Sequence, residues 1–176
     1  MYKLKETLIS EEEIKAKVKE MGKKIEEDYK GEEVLLVGIL KGASIFAADL
    51  VRSIDLDVKI DFMSVSSYGN STQSSNTVKI LKDLDTDIKG RNVLIVEDII
   101  DTGLTLSNLV AALKTRKPKS LKLCTLIDKP ARRTTDILVD YKGFVIEDKF
   151  IVGYGLDYAE RFRNLPFIGI LEDTEE

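Results

Sequence analysis

The sequence predicts an α/β fold, a central parallel β-sheet flanked by helices. Two observations carry that expectation. First, residues 34–40 (VLLVGIL), 93–96 (VLIV) and 121–127 (LKLCTLI) are apolar runs with little polar alternation, the pattern of strands covered on both faces. Second, helical stretches alternate with these runs, and strand–helix–strand order implies right-handed crossovers between parallel strands.

Taken in order, residues 10–29 read as a helix. Ser10 followed by Glu13 makes a capping box, Ile14, Val18, Met21 and Ile25 form one apolar stripe, and Gly31 is the stop signal. The strand at 34–40 leads into a helix over roughly 43–53, and 58–67 reads as a further strand. Residues 68–76 (YGNSTQSSN) have no apolar anchor, so they are a loop by composition and, by length, a candidate lid. A strand resumes at 78–81. After the strand at 93–96, a helix over about 104–115 ends before Lys117-Pro118, and the strand at 121–127 follows. Beyond Pro130, short strand-like pieces stand at 137–139, 144–146, 150–152 and 167–170. The sequence has no internal repeat and no linker, so residues 1–176 read as one domain. The weaker strands at its two ends are expected to form a small subdomain over the carboxyl edge of the sheet, where ligands of α/β proteins bind.

Composition narrows the chemistry. The 176 residues are 43% hydrophobic and 33% charged, with no apolar run approaching the ~18 residues of a membrane span. The N-terminus lacks the apolar core of a signal peptide, so the expected location is cytoplasmic. Histidine is absent, which excludes Ser-His-Asp and Cys-His catalysis and imidazole metal sites. A general base must then be a carboxylate, Lys or Tyr, and a metal must sit on oxygen ligands, which favours Mg²⁺. The lone Cys124 lies in an apolar run and reads as a buried strand thiol. A net charge of −4 argues against bulk nucleic-acid binding.

The most informative stretch is 93–105, VLIVEDIIDTGLT. A buried strand ends in adjacent acids, Glu97 and Asp98; a third, Asp101, follows; Thr102-Gly103-Leu104-Thr105 then opens a helix. A helix start offers free N–H groups and the positive end of a dipole, Gly103 allows close backbone approach, and Thr102 and Thr105 add hydroxyls. Together these make a cradle for a phosphate monoester. Glu97 and Asp98 suit the two hydroxyls of a ribose, or Mg²⁺ and its waters, which leaves Asp101 as a base or acceptor. The motif therefore reads as a site for ribose 5-phosphate with Mg²⁺. Neither a GxxxxGK[ST] loop nor a GxGxxG fingerprint is present.

This stretch resembles the phosphoribosyl-pyrophosphate motif of type I phosphoribosyltransferases, in the form of the hypoxanthine-guanine branch. Leu40-Lys41-Gly42, residues 65–68 (VSSY), 128–133 (DKPARR) and 148–158 (DKFIVGYGLDY) stand in that family's order and extend the resemblance over most of the chain. The resemblance implies the type I fold, with a hood from about residues 1–9 and 148–176. It implies a pyrophosphate site at Lys41, Gly42, Arg133 and Arg163, with a Leu40–Lys41 peptide that can be cis. Ser67 and Tyr68 would open the lid. Purine contacts would come from Lys129 at the exocyclic O6, Phe150 on the ring face, Ile151 through its backbone, and Asp157. Metal would be held by Glu97 and Asp98, with a second Mg²⁺ at Asp157. Asp101 would be the catalytic residue.

The implied reaction is purine salvage: transfer of the phosphoribosyl group from phosphoribosyl pyrophosphate to N9 of hypoxanthine or guanine, giving IMP or GMP and pyrophosphate. A homodimer or homotetramer is implied, with neither nucleic acid nor membrane as partner. Other bases within the same enzyme class, and an RNA-binding regulator on the same fold, are the competing readings. Lys129 and the 148–158 block argue against the first, and the acidic charge against the second.

Overall fold

The computed structural model describes residues 2–67 and 78–173, with Ser67 placed by its backbone alone. Its elements are β1 (Tyr2–Ile9), α1 (Glu11–Asp28), β2 (Val34–Leu40), α2 (Ser44–Arg52), β3 (Val58–Ser67), β4 (Val78–Lys82), β5 (Asn92–Ile100), α3 (Leu104–Lys114), β6 (Ser120–Asp128), a 3₁₀ turn at Pro130–Arg132, β7 (Tyr141–Val145), β8 (Ile151–Val152) and β9 (Ile168–Asp173). Six strands form one sheet in the order β4-β3-β2-β5-β6-β7. The pairs from β3 through β7 are parallel, whereas β4 is antiparallel to β3, so the sheet is mixed at one edge. The expected helix-connected core is thus present. β4 returns antiparallel to β3, an arrangement that requires no crossover helix.

The continuous apolar runs follow from the sheet being covered on both faces. Val34, Leu36, Leu94, Val96 and Cys124 point into the cluster that α1 and α2 cover through Ile14, Met21, Ile25, Phe46 and Leu50. Their neighbours Leu35, Val37, Val93, Ile95 and Leu123 point to the opposite face, where Leu106, Leu109 and Leu113 of α3 pack. Successive strand residues therefore serve different layers. Burying a side chain such as Phe46 stabilises the fold by about 1.5–3 kcal/mol. At the start of α1, Ser10 Oγ accepts from the Glu13 N–H (3.1 Å) and Glu13 Oε2 accepts from the Ser10 N–H (2.7 Å), which is the predicted capping box.

One predicted strand is absent. Residues 137–139 have the alternation of a strand, with Val139 buried and Leu138 79% exposed, yet they join no sheet. The flanking backbone bonds elsewhere: the Thr134 and Thr135 N–H groups donate to the Thr102 carbonyl, and the Asp140 N–H donates to that of Leu123. The segment packs over α3 as an irregular cover for the 101–105 loop.

The two ends of the chain meet in a second sheet, β1-β9-β8, antiparallel throughout. The order in which the chain adds parallel strands reverses between β2 and β5, the two adjacent central strands whose helices lie on opposite faces. Such a switch point opens a crevice at the carboxyl ends of the strands.

Candidate active site

Gly38 of β2 pairs with Val96 of β5, so residues 40–42 and 97–98 lie just beyond the last β2–β5 pairing, while 97–98 stay in β5 beside β6. The Leu40–Lys41 peptide is cis. A Cβ placed on Gly42 would lie 1.9 Å from Asp98 Oδ2, and one placed on Gly155 would lie 2.1 Å from the Gly42 carbonyl oxygen. Gly155 also has φ +99°, where side chains are strained. Glycine at 42 and 155 thus lets three chain segments touch: the loop after β2, the acids of β5, and the loop after β8.

Glu97 and Asp98 are adjacent and partly buried. Burial pushes the Glu97 carboxyl well above the ordinary carboxylate range, and the neighbouring Asp98 charge adds to the effect. Burial raises Asp98 too, opposed by hydrogen bonding to Glu97 and the Ile99 N–H, and by the charge of Arg163. Two carboxylates that resist ionising together are stabilised by a cation. Their all-oxygen donor set fits Mg²⁺, which takes one or two carboxylates and completes its shell with substrate phosphates and water. Among the described residues no group of three acids gathers around a common point. Asp157 stands apart from the pair: its Oδ2 accepts from the Glu160 N–H (2.8 Å) and its Oδ1 lies 3.2 Å from Arg163 Nη2.

The 101–105 loop is held from behind. Arg133 Nε donates to the Asp101 carbonyl (3.1 Å), and the Thr102 carbonyl receives the N–H groups of Thr134 and Thr135. Gly103 is the N-cap of α3 at φ +81° and has no side chain with which to cap it. Thr102 Oγ1 accepts from the Leu104 N–H at 3.3 Å, Leu104 is about half exposed, and Thr105 stands in the uncapped first turn. The helix start therefore keeps anion-binding capacity. Asp101 Oδ1 is buried with no hydrogen-bond partner among the described residues; Arg132 Nε is 3.8 Å away.

Arg133 has a different setting from the other cations expected at a pyrophosphate. Its Nη2 pairs with the buried carboxylate of Asp128, whose other oxygen faces Lys142 Nζ at 3.3 Å. Its Cδ also packs against the Gly103 backbone. In this structure the guanidinium pairs with Asp128 and holds the 101–105 loop from behind. Lys41 and Arg163, by contrast, meet at one group: Lys41 Nζ is 2.9 Å from Glu160 Oε2, and Arg163 Nη2 is 3.1 Å from Glu160 Oε1. Arg163 Nη1 also donates to the Gly155 carbonyl (2.7 Å).

Lys129 is only 6% exposed, so it is not a solvated surface lysine. Its Nζ donates to the Lys149 carbonyl and lies 3.7 Å from Asp148 Oδ1. Phe150 is 44% exposed and so is no core residue. It stands edge-on to Tyr2 and Tyr158, with centroids at 5.6 and 5.5 Å. Ile151 is buried in β8 and paired with Ile170. The backbone of Ser67 ends β3 three residues beyond its last pairing with β2, at the same carboxyl edge. Tyr68 and the expected lid, 68–76, lie outside the described residues. A cavity of about 640 Å³ lies elsewhere, between α1 and α2 against Asp49 and Tyr154, and holds none of these groups.

Three residues here escape sequence reading. Asp128 and Asp148 adjoin Lys129 and Lys149 in sequence and read as ordinary surface charges; only the fold makes Asp128 buried. Glu160 lies between the noted Asp157 and Arg163 in a charge-rich segment, and no local signal marks it.

Comparison with known proteins agrees with this geometry. Residues 6–159 match the family described as "Phosphoribosyl transferase domain". The chain is 57% identical over 171 residues to the hypoxanthine-guanine phosphoribosyltransferase of Bacillus subtilis, covering 97% of this chain and 95% of that one. It is 54% identical over 166 residues to the hypoxanthine phosphoribosyltransferase of Salmonella typhimurium, covering 93% of each. A crystal structure of a hypoxanthine-guanine phosphoribosyltransferase from Bacillus anthracis superposes with a TM-score of 0.91 at 53% identity, covering 98% of this chain and all of the other.

Proposed function

The chain belongs to the phosphoribosyltransferase family, and from that premise we propose that it transfers the 5-phosphoribosyl group of phosphoribosyl pyrophosphate to N9 of hypoxanthine or guanine. The products are IMP or GMP and pyrophosphate. One observation carries the reading: the Lys41–Gly42 loop, the Glu97–Asp98 pair and the uncapped start of α3 meet at one switch point. More than half-identity over nearly full length to purine-specific relatives supports the choice of base.

In this reading the first turn of α3, through Thr102, Gly103, Leu104 and Thr105, holds the 5-phosphate. Glu97 and Asp98 face the ribose hydroxyls and Mg²⁺, and Asp157 adjoins the site of a second ion. Bound Mg²⁺ supplies charge neutralisation for the departing pyrophosphate. Lys41, the Gly42 backbone and Arg163 orient that pyrophosphate, and Arg133 keeps the phosphate loop in shape. Phe150 stacks on the purine, the Ile151 backbone meets its edge, and Lys129 donates to O6, a contact that adenine's amino donor would refuse. As the bond from C1 to pyrophosphate breaks, N9 bonds to C1 from the opposite face. Asp101, whose Oδ1 accepts no hydrogen bond among the described residues, accepts the proton that the purine's five-membered ring gives up. Ser67, Tyr68 and the following loop exclude water. Residues 1–9 and 148–176 act as the hood that carries the base-binding groups.

Highly charged nucleotide substrates support a cytoplasmic location, and the family resemblance supports a homodimer or homotetramer. The test is turnover of hypoxanthine, guanine, xanthine, adenine and uracil with phosphoribosyl pyrophosphate and Mg²⁺, followed by absorbance. Turnover of the first two, abolished by EDTA, is the expected result; turnover of adenine alone would overturn the base assignment.

A further inference from the structure

The turn Tyr158-Ala159-Glu160-Arg161 is closed by reciprocal backbone hydrogen bonds between Tyr158 and Arg161. Both central residues have positive φ, +50° at Ala159 and +62° at Glu160. Tight turns of that shape favour Asn-Gly, and Ala-Glu fits them poorly. The strained turn delivers the Glu160 carboxylate to the two cations that the reading above assigns to pyrophosphate. One oxygen lies 2.9 Å from Lys41 Nζ and the other 3.1 Å from Arg163 Nη2. The neighbouring Lys41 and Arg163 charges hold the Glu160 carboxyl below its ordinary range. Beside it opens a concavity of about 430 Å³ lined by residues 160–164.

We propose that Glu160 is an affinity-setting residue, a carboxylate that occupies the cations of the pyrophosphate subsite and must yield them to the incoming pyrophosphate group. A carboxylate bridging Lys41 and Arg163 offers two anionic oxygens where the ligand would offer its own. Both cannot hold the same donors, so each binding event begins by breaking the Glu160 contacts, and each product release is helped by their return. Because exposed ion pairs are individually weak, the competition is worth about threefold to tenfold in affinity. The proposal rests on the phosphoribosyl pyrophosphate reading of this site.

The experiment titrates inorganic pyrophosphate with Mg²⁺ into the wild-type protein, Glu160→Gln and Glu160→Asn by calorimetry, and measures KM for phosphoribosyl pyrophosphate and for hypoxanthine. Asn tolerates positive φ, so Glu160→Asn keeps the turn while removing the charge. Both variants should bind pyrophosphate about threefold to tenfold more tightly, with a matching fall in KM for phosphoribosyl pyrophosphate and none for hypoxanthine. Lys41→Met should weaken pyrophosphate binding more in the Glu160→Gln background than in wild type, a difference that general charge effects would not produce. Unchanged or weaker binding in both variants, with a wild type that binds and turns over, would sink the role of Glu160 alone. A wild type that binds neither pyrophosphate nor phosphoribosyl pyrophosphate would sink this proposal together with the site reading.

Discussion

The Asp98 carboxylate fills the space that a side chain at Gly42 would need, with Oδ2 1.9 Å from the position of that missing Cβ. The acid of β5 and the loop after β2 are therefore one unit. Gly42→Ala must displace either Asp98 or the Lys41–Gly42 backbone. Misplacing catalytic groups by about 1 Å costs on the order of a hundredfold in rate. We expect kcat/KM for phosphoribosyl pyrophosphate to fall about a hundredfold in Gly42→Ala while circular dichroism and Tm stay near wild type, because the position is at the edge of the core. Steady-state kinetics beside a thermal melt checks both halves.

Asp101 keeps one carboxylate oxygen buried and without a hydrogen-bond partner among the described residues. Asp101→Asn preserves the shape and removes the basicity. It should lower kcat by about 10²–10⁴, the usual worth of a general base. Its KM for phosphoribosyl pyrophosphate should change far less, because the Asp101 carbonyl still receives Arg133. An unchanged kcat would remove Asp101 from the proton transfer.

Arg133 and Arg163 should fail differently. Arg133→Ala strips the buried Asp128 of a close partner and leaves only Lys142 nearby. Unpairing a buried charge should destabilise the protein by roughly 2–4 kcal/mol, visible as a lower midpoint in urea, and activity should fall with it. Arg163→Ala removes a group at the rim of the site. It should raise KM for phosphoribosyl pyrophosphate about tenfold or more, the loss of charge-assisted hydrogen bonds, with little change in the urea midpoint. Equal stability losses in the two variants would contradict the division of labour drawn from their partners.

Lys129→Met keeps much of the buried volume and removes the ammonium. The Lys149 carbonyl loses its donor, while Asp148 keeps Arg132 Nη1 at 3.5 Å. The expected result is a 10–100-fold rise in KM for hypoxanthine, the worth of a hydrogen bond from a charged donor, with KM for phosphoribosyl pyrophosphate nearly unchanged. Initial-rate kinetics with one substrate varied at a time reads this directly. Gain of adenine turnover would strengthen the O6 assignment; a loss confined to phosphoribosyl pyrophosphate would move Lys129 out of the base pocket.

Much of the architecture was written in local pattern. The continuous apolar runs that became β2, β5 and β6 were legible because strands buried on both faces tolerate no polar alternation. The capping box at Ser10 and Glu13 was legible because its partners are three residues apart. The motif from Glu97 to Thr105 was legible because its acids, glycine and threonines stand within a few residues of one another. Residues 137–139 were misread as a strand because their alternation records packing over α3, while their neighbours' backbone groups bond to Thr102 and Leu123.

What the sequence by itself determined was the fold class, the order of elements and the chemical content of the site. What only the tertiary structure decided was which charges meet. Arg133 is a brace because Asp128 is buried at the end of β6, and Lys41 and Arg163 share a partner because a turn 119 residues from Lys41 places Glu160 between them. Hydrophobic periodicity is a property of neighbours along the chain. Ion pairing is a property of neighbours in space, and a charged residue carries no local mark of the partner that folding will give it.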